Sequence, residues 1–155
     1  IRFITPHITK WYQFDPNDLF GYAMIKDFVL MRLGGTYLLL AESQFKQGKL
    51  DEAAASINVL RQRAYPDYPV HGQVQASDIT MDFILDERVR ELIGEENRRM
   101  TLMRTGTLVE RATRLNSNSI NNPLNGLTDK NLLFPVPQSE IDLNKDAKLD
   151  QNPGY

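Results

Sequence analysis

Carboxylates crowd one short stretch, Asp86-Glu87-Arg88-Val89-Arg90-Glu91, and two of them could in principle divide acid and base roles. Their spacing argues otherwise. Asp86 is four residues from Arg90, Glu87 three from Arg90, and Arg88 three from Glu91, so on a helix each acid has a basic neighbour. A carboxylate beside a fixed cation stays ionised and makes a poor proton donor. Glu95, followed by Arg98 and Arg99, reads the same way. The run is expected to be a charged ladder that locks two helices together.

Other chemistries find less support. The chain has no cysteine, which removes thiol nucleophiles, disulfides and cysteine metal sites. Neither a Gly-x-Ser-x-Gly elbow nor a His-Glu-x-x-His pair occurs, and there is no glycine-rich phosphate loop. The two histidines, His7 and His71, sit apart in loop-like segments. Asp142-x-Asn144-x-Asp146 opens like a calcium loop, yet Ala147 takes the place of the turn glycine and Pro153 that of the bidentate glutamate. It reads as a solvated turn. No catalytic residue, metal or cofactor is expected.

Exposed aromatics are the remaining candidates, because sugar rings present apolar C–H faces that stack on indole and phenol rings. Trp11 and Tyr12 are adjacent, with Lys10 before them and Gln13 after. In extended backbone, neighbouring side chains point to opposite faces, so only one of the two would meet a given ligand. The plainer account has one packed in the core and the other on the surface. Trp11 and Tyr12 are the candidate ligand-binding residues.

The elements that would position these groups are helical. Residues 1–26 mix aromatics with turn formers such as Asp15-Pro16-Asn17-Asp18 and read as an extended or looping lead-in. From about Ile25 to Gly48, apolar residues recur at threes and fours, predicting a long helix with Gly34-Gly35 inside it. Two such glycines imply close approach by a neighbour or a slight bend. Gly48 stops this helix, and Lys49-Leu50-Asp51-Glu52 starts a second with Ala53, Ile57, Leu60 and Ala64 along one face.

So short a connection forces an antiparallel hairpin. Tyr37-x2-Leu40-Ala41, then Gly48, Ala53-x3-Ile57 and Pro66, fits the tetratricopeptide spacing, although Gln44 stands where that pattern prefers an aromatic. Any tight helical hairpin also wants small residues at its crossing.

Thr80 is placed to cap a third helix with Phe83, Ile84, Val89, Leu92 and Ile93 on its apolar side. A fourth begins near Glu95 and is interrupted at Gly106. Helices thus fill 27–115, and 116–155 is loop and tail: an asparagine-rich loop from Asn116 to Asn131, an extended Leu132–Pro137, a turn capped by Ser139, and an irregular end. The fold class is all-α, with tetratricopeptide-like hairpins, long irregular loops and an extended C-terminal tail.

Length and charge agree with an ordinary globular domain. The 155 residues fit one domain, and a formal charge of -2 gives no field that would draw nucleic acid. The stretch from Phe28 to Leu40 is broken by Arg32, Gly34, Gly35 and Thr36 and is too short for a transmembrane segment. Opening on Ile1-Arg2-Phe3-Ile4, the sequence reads as a fragment of a longer protein.

From about Asp27 to Tyr155 the chain resembles the C-terminal region of the SusD/RagB family of Bacteroidetes outer-membrane lipoproteins. In that family a Glu-Arg-x-x-Glu-Leu helix leads into Glu-Gly-x-Arg-x-x-Asp-Leu-x-Arg. Here Glu87-Arg88-x-x-Glu91-Leu92 leads into Glu95-Glu96-x-Arg98-x-x-Thr101-Leu102-x-Arg104. Glu96 replaces the glycine and Thr101 the aspartate, which removes a carboxylate partner for an arginine. Leu133-Phe134-Pro135-Val136-Pro137-x-x-Glu140 and the terminal Gln151-Asn152-Pro153-Gly154-Tyr155 are similar to the family's Pro-Ile-Pro-x-x-Glu and Gln-Asn-Pro-Gly-Tyr.

The resemblance implies non-catalytic binding of glycans or other nutrients at the cell surface, with a TonB-dependent, SusC-like outer-membrane transporter as partner. A lipid anchor would lie upstream of Ile1. The alternative, from another class, is a tetratricopeptide-like scaffold for protein–protein interaction.

Overall fold

A computed structural model describes Lys10, residues 15–18, 20, 26, 27, 29–116 and 127–155. The described residues contain helices and no strand. The chain divides into two compact units, Ile1–Glu95 and Glu96–Tyr155.

The first unit is built on α1 (Leu33–Lys46), α2 (Leu50–Ala64) and α3 (Met81–Leu92). Gly48, at φ +76°, reverses the chain between α1 and α2. Its N–H bonds to Phe45 O at 2.9 Å and that of Lys49 to Gln44 O at 2.9 Å. Those two bonds satisfy the last carbonyls of α1 in a Schellman arrangement that glycine alone enters without strain. Ala41, Ala53 and Ala54 are buried with Leu38, Ile57 and Leu60, and their small side chains let the two helices approach closely. Ile84 and Leu92 of α3 join the same core, as do Val74 and Ile79 of the connecting segment.

Side-chain amides hold that segment. Asn58 accepts from Val74 N at 2.9 Å and donates to Val74 O at 2.9 Å, so it serves as a backbone partner for a residue outside any element. Thr80 caps α3 by accepting from Phe83 N at 3.0 Å, as its position predicts. Gln44, where an aromatic was preferred, instead accepts from Ser56 Oγ at 2.7 Å across the hairpin.

Three expectations shift. Helix α1 begins at Leu33 rather than near Ile25: Arg32 is extended (φ -146°, ψ 165°), and Leu30 and Met31 are exposed. The glycine pair therefore lies in the first turn, where helix propagation is weakest. On α2, Ala64 is exposed at the helix end while Ala54 and Ser56 are buried. On α3, Leu85 is buried and Val89 and Ile93 are not.

The second unit carries α4 (Arg98–Arg104), α5 (Leu108–Asn116), a 3-10 turn (Asp129–Leu132) and α6 (Gln138–Leu143). Gly106, at φ +70°, splits the expected fourth helix in two. The N–H groups of Gly106 and Thr107 bond back to Met103 O at 3.0 Å and Leu102 O at 2.9 Å, repeating the α1 ending. Helix α6 has Pro137, not Ser139, at its cap position, because proline's fixed φ already suits the entry to a helix. Most of the Asn116–Asn131 loop expectation falls outside the described residues.

Candidate functional site

Within the first unit, the acidic ladder turns inward as well as outward. Glu87, 5% exposed, receives Arg61 Nε at 3.0 Å and Nη2 at 2.7 Å, and Arg90 Nε at 2.8 Å and Nη2 at 2.6 Å. Arg61 also donates to Gly72 O at 3.2 Å, and its guanidinium lies 5.4 Å from the Tyr65 ring and 5.2 Å from that of Phe83. Burial alone would push the Glu87 carboxyl up. Its hydrogen bonds and charge pairing with Arg61 and Arg90 outweigh that and hold it below the ordinary 4.5.

A second cluster gathers at the start of α1. Arg32 Nε lies 2.6 Å from Glu95 Oε2, Nη1 pairs with the Glu91 carboxylate, and Nη2 donates to the Glu91 carbonyl. Lys10 Nζ reaches Glu95 Oε1 at 2.8 Å and Glu91 O at 2.8 Å, and Arg63 Nη2 reaches Glu91 Oε1 at 2.7 Å. Burial raises the Glu95 carboxyl, but Lys10 and Arg32 bring it below its ordinary value. Gly34 makes room for this knot. A Cβ there would stand 2.5 Å from Arg32 Nη1 and 2.8 Å from Glu91 Oε1, the close approach the glycine pair predicts.

Glu95 thus takes its partners from Lys10 and Arg32, not from Arg98 and Arg99 as its spacing suggested. Sequence reasoning missed Arg32, Arg61, Arg63 and Lys10 as partners, since it weighed only pairs three and four residues apart. Arg32, two residues before Gly34-Gly35, was the one usable signal.

A groove of about 310 Å³ opens beside the knot, lined by Leu33, Tyr37, Val59 and Leu60, with Arg32, Arg63 and Glu91 along its charged edge. Trp11 and Tyr12 lie outside the described residues, as does His7. Lys10, the residue before Trp11, is the one tied to Glu91 and Glu95. His71 pairs with Asp67 on the surface. Asn144 Oδ1 accepts from Asp146 N at 3.1 Å and Ala147 N at 3.2 Å, an ordinary Asx turn, and Asp142 accepts from Gln138 Nε2 at 2.7 Å. Glu87, Glu91 and Glu95 are thus all held in ion pairs.

The second unit explains the terminal motif. Gln151 accepts from Val136 N at 2.6 Å and donates to Val136 O at 2.8 Å, Asn152 donates to Phe134 O at 2.7 Å, and Tyr155 OH donates to Leu133 O at 3.1 Å. Each side chain satisfies a backbone group that the proline-rich Leu133–Pro137 segment cannot satisfy within itself. Gly154, at φ +89°, lets the chain pass the Lys130 stem, and Lys130 Nζ lies 4.2 Å from the Tyr155 ring centre. Arg99 stacks 4.6 Å from the Phe134 ring and donates to Asn131 O at 2.5 Å.

These features are the frame of a family. A model of the SusD family matches residues 4–155, so the chain belongs to the SusD family. It is 32% identical over 133 residues to SusD-like protein P38 of Formosa agariphila, covering 82% of this chain and 24% of that protein. It is 31% identical over 136 residues to the starch-binding protein SusD of Bacteroides thetaiotaomicron, covering 83% of this chain and 22% of the relative. The chain therefore spans about a quarter of the length of these curated relatives. No solved structure matches.

The two departures from the family's motif meet each other. Thr101 Oγ1 donates to Glu96 Oε1 at 2.8 Å, and Arg98 Nη1 lies 3.4 Å from Glu96 Oε2. Glu96 thus contacts both Thr101 and Arg98.

Proposed function

We propose that this chain is part of a non-catalytic protein that binds glycans or related nutrients at the cell surface and passes them to a TonB-dependent, SusC-like transporter. Membership of the SusD family across residues 4–155 carries this reading. A relative named for starch binding supports glycans as the ligand class. The protein would sit on the outer membrane through a lipid anchor.

Local chemistry supports a binding role. Glu87, Glu91 and Glu95 are each committed to two or more basic groups, which suits bracing and not general acid catalysis. Trp11 and Tyr12, one of which would stack on a sugar ring, directly follow the anchored Lys10 in sequence. Affinity electrophoresis of the full-length gene product in gels cast with plant, host and bacterial polysaccharides tests the reading. Retardation by at least one polysaccharide is expected, and unchanged mobility throughout the panel would overturn it.

A further inference from the structure

The second unit holds a cleft that its bracing contacts leave open. The cleft has a volume of about 550 Å³ and is lined by Asp129, Lys130, Leu132, Leu133, Pro153 and Gly154. One wall is the 3-10 turn, where Asn131 N bonds to Thr128 O at 2.8 Å and Asn131 Oδ1 accepts from Thr128 N at 2.9 Å. The other is the terminal segment, fixed where Tyr155 OH donates to Leu133 O and Asn152 Nδ2 to Phe134 O. Gly154 lets the two walls meet, since a Cβ there would stand 3.1 Å from Lys130 Cδ and 3.2 Å from Cγ. With both walls tied, the cleft needs little ordering to receive a ligand.

Its lining selects by chemistry. Leu132, Leu133 and Pro153 are apolar, and Asp129 and Lys130 bring one charge of each sign. Among the described residues the Asp129 carboxylate has no hydrogen-bond or ion-pair partner, unlike Glu87, Glu91 and Glu95. The Lys130 ammonium rests on the Tyr155 ring, 4.2 Å from its centre, with no counter-ion among those residues. An apolar ligand would cover these charges without giving them partners. A ligand of net charge would be attracted by one and repelled by the other. A neutral pyranose meets both demands: its C–H face lies on apolar side chains, its hydroxyls donate to the carboxylate and its oxygens accept from the ammonium. The volume also lies within the usual range for small-ligand sites.

We propose that this cleft is a carbohydrate subsite for a neutral pyranose unit, in a different unit from Trp11 and Tyr12, with Asp129 as hydroxyl acceptor and Lys130 as donor. The proposal rests on the glycan reading and adds to it a place and a preference for uncharged sugars.

Hydrogen-exchange mass spectrometry of the full-length gene product, with and without neutral malto-, cello-, xylo- and manno-oligosaccharides, tests it. Peptides covering 127–134 and 151–155 are expected to exchange at least about threefold more slowly with one or more of these sugars. Asp129→Ala, at an exposed position, is expected to abolish that protection and to weaken affinity for the same sugar at least about fivefold, with Asp146→Ala unchanged. Asp129→Asn keeps an acceptor but no charge and is expected to fall between. Binding of any glycan that leaves the two peptides unchanged, or an Asp129→Ala variant that binds as tightly as the parent, would overturn the subsite and leave the glycan reading standing. Silence with these sugars and with every polysaccharide would overturn both. Protection of the two peptides by tetraalanine and by none of the sugars would overturn the subsite as well, since the cleft would then take a peptide.

Discussion

Replacing Glu87 with glutamine tests whether the inward-facing carboxylate braces α2 against α3. The carboxylate is 5% exposed and receives four N–H groups, two from Arg61 and two from Arg90. Glutamine keeps the shape but offers one oxygen, and its NH2 group confronts the N–H groups the carboxylate accepted. Arg61, whose side chain is 11% exposed, is then left buried without its counter-ion. Losing one partner of a buried pair costs roughly 3–5 kcal/mol. Arg90 is half-exposed, so its pairing contributes at most about 1 kcal/mol. A loss of about 3 kcal/mol is expected for Glu87→Gln at pH 7, against about 1 kcal/mol or less for Arg90→Ala.

Urea unfolding followed by far-UV circular dichroism measures both, with an unchanged slope showing that only stability moved. The double change Arg61→Met with Glu87→Leu is expected to restore most of the loss, because it leaves no unpaired buried charge. A Glu87→Gln cost no larger than that of Arg90→Ala would show that Glu87 is no buried brace.

Further outcomes follow from the same contacts. Glu87 and Glu95 ionise below 4.5 in the folded chain, so the unfolded chain takes up protons first; their contribution to stability is full above about pH 4.5 and is lost as pH falls through the lower folded values, as acid titration of helical signal will read. Gly34→Ala and Gly35→Ala should move thermal stability in opposite directions. The first crowds Arg32 and Glu91 and costs about 1–2 kcal/mol net, while the second meets only Leu92 Cδ1 at 3.9 Å and gains about 0.5–1 kcal/mol. Gln151→Ala removes both bonds to Val136 and is expected to speed amide exchange at Val136 by at least about fivefold in hydrogen-exchange mass spectrometry, with Ile84 in the other unit unaffected.

Local signals gave the elements whose cause is local. Gly48 and Gly106 end helices because a residue at positive φ stops them, and Thr80 caps α3 because its hydroxyl lies within reach of Phe83 N. The apolar periodicity overran the start of α1 because it registers hydrophobicity and not backbone conformation. Leu30 and Met31 fit the stripe and are nevertheless exposed and outside the helix. The ladder was legible as a brace, but its partners Arg61, Arg63, Arg32 and Lys10 come from 26 to 85 residues away, where pair spacing along one helix carries no information. The terminal motif identified the family without disclosing its purpose. Gln151, Asn152 and Tyr155 act on the backbone of Leu133, Phe134 and Val136, a contact defined only once the tail has folded back. Trp11 and Tyr12 rest on residue chemistry alone.

The central claim, that the protein captures a glycan without transforming it, is tested most directly by isothermal titration calorimetry. The full-length gene product is titrated with oligosaccharides of each polysaccharide class, and reducing ends are counted before and after. Saturable heat with at least one class and a constant count of reducing ends are expected. Heat absent from every titration, or reducing ends that rise with time, would contradict it.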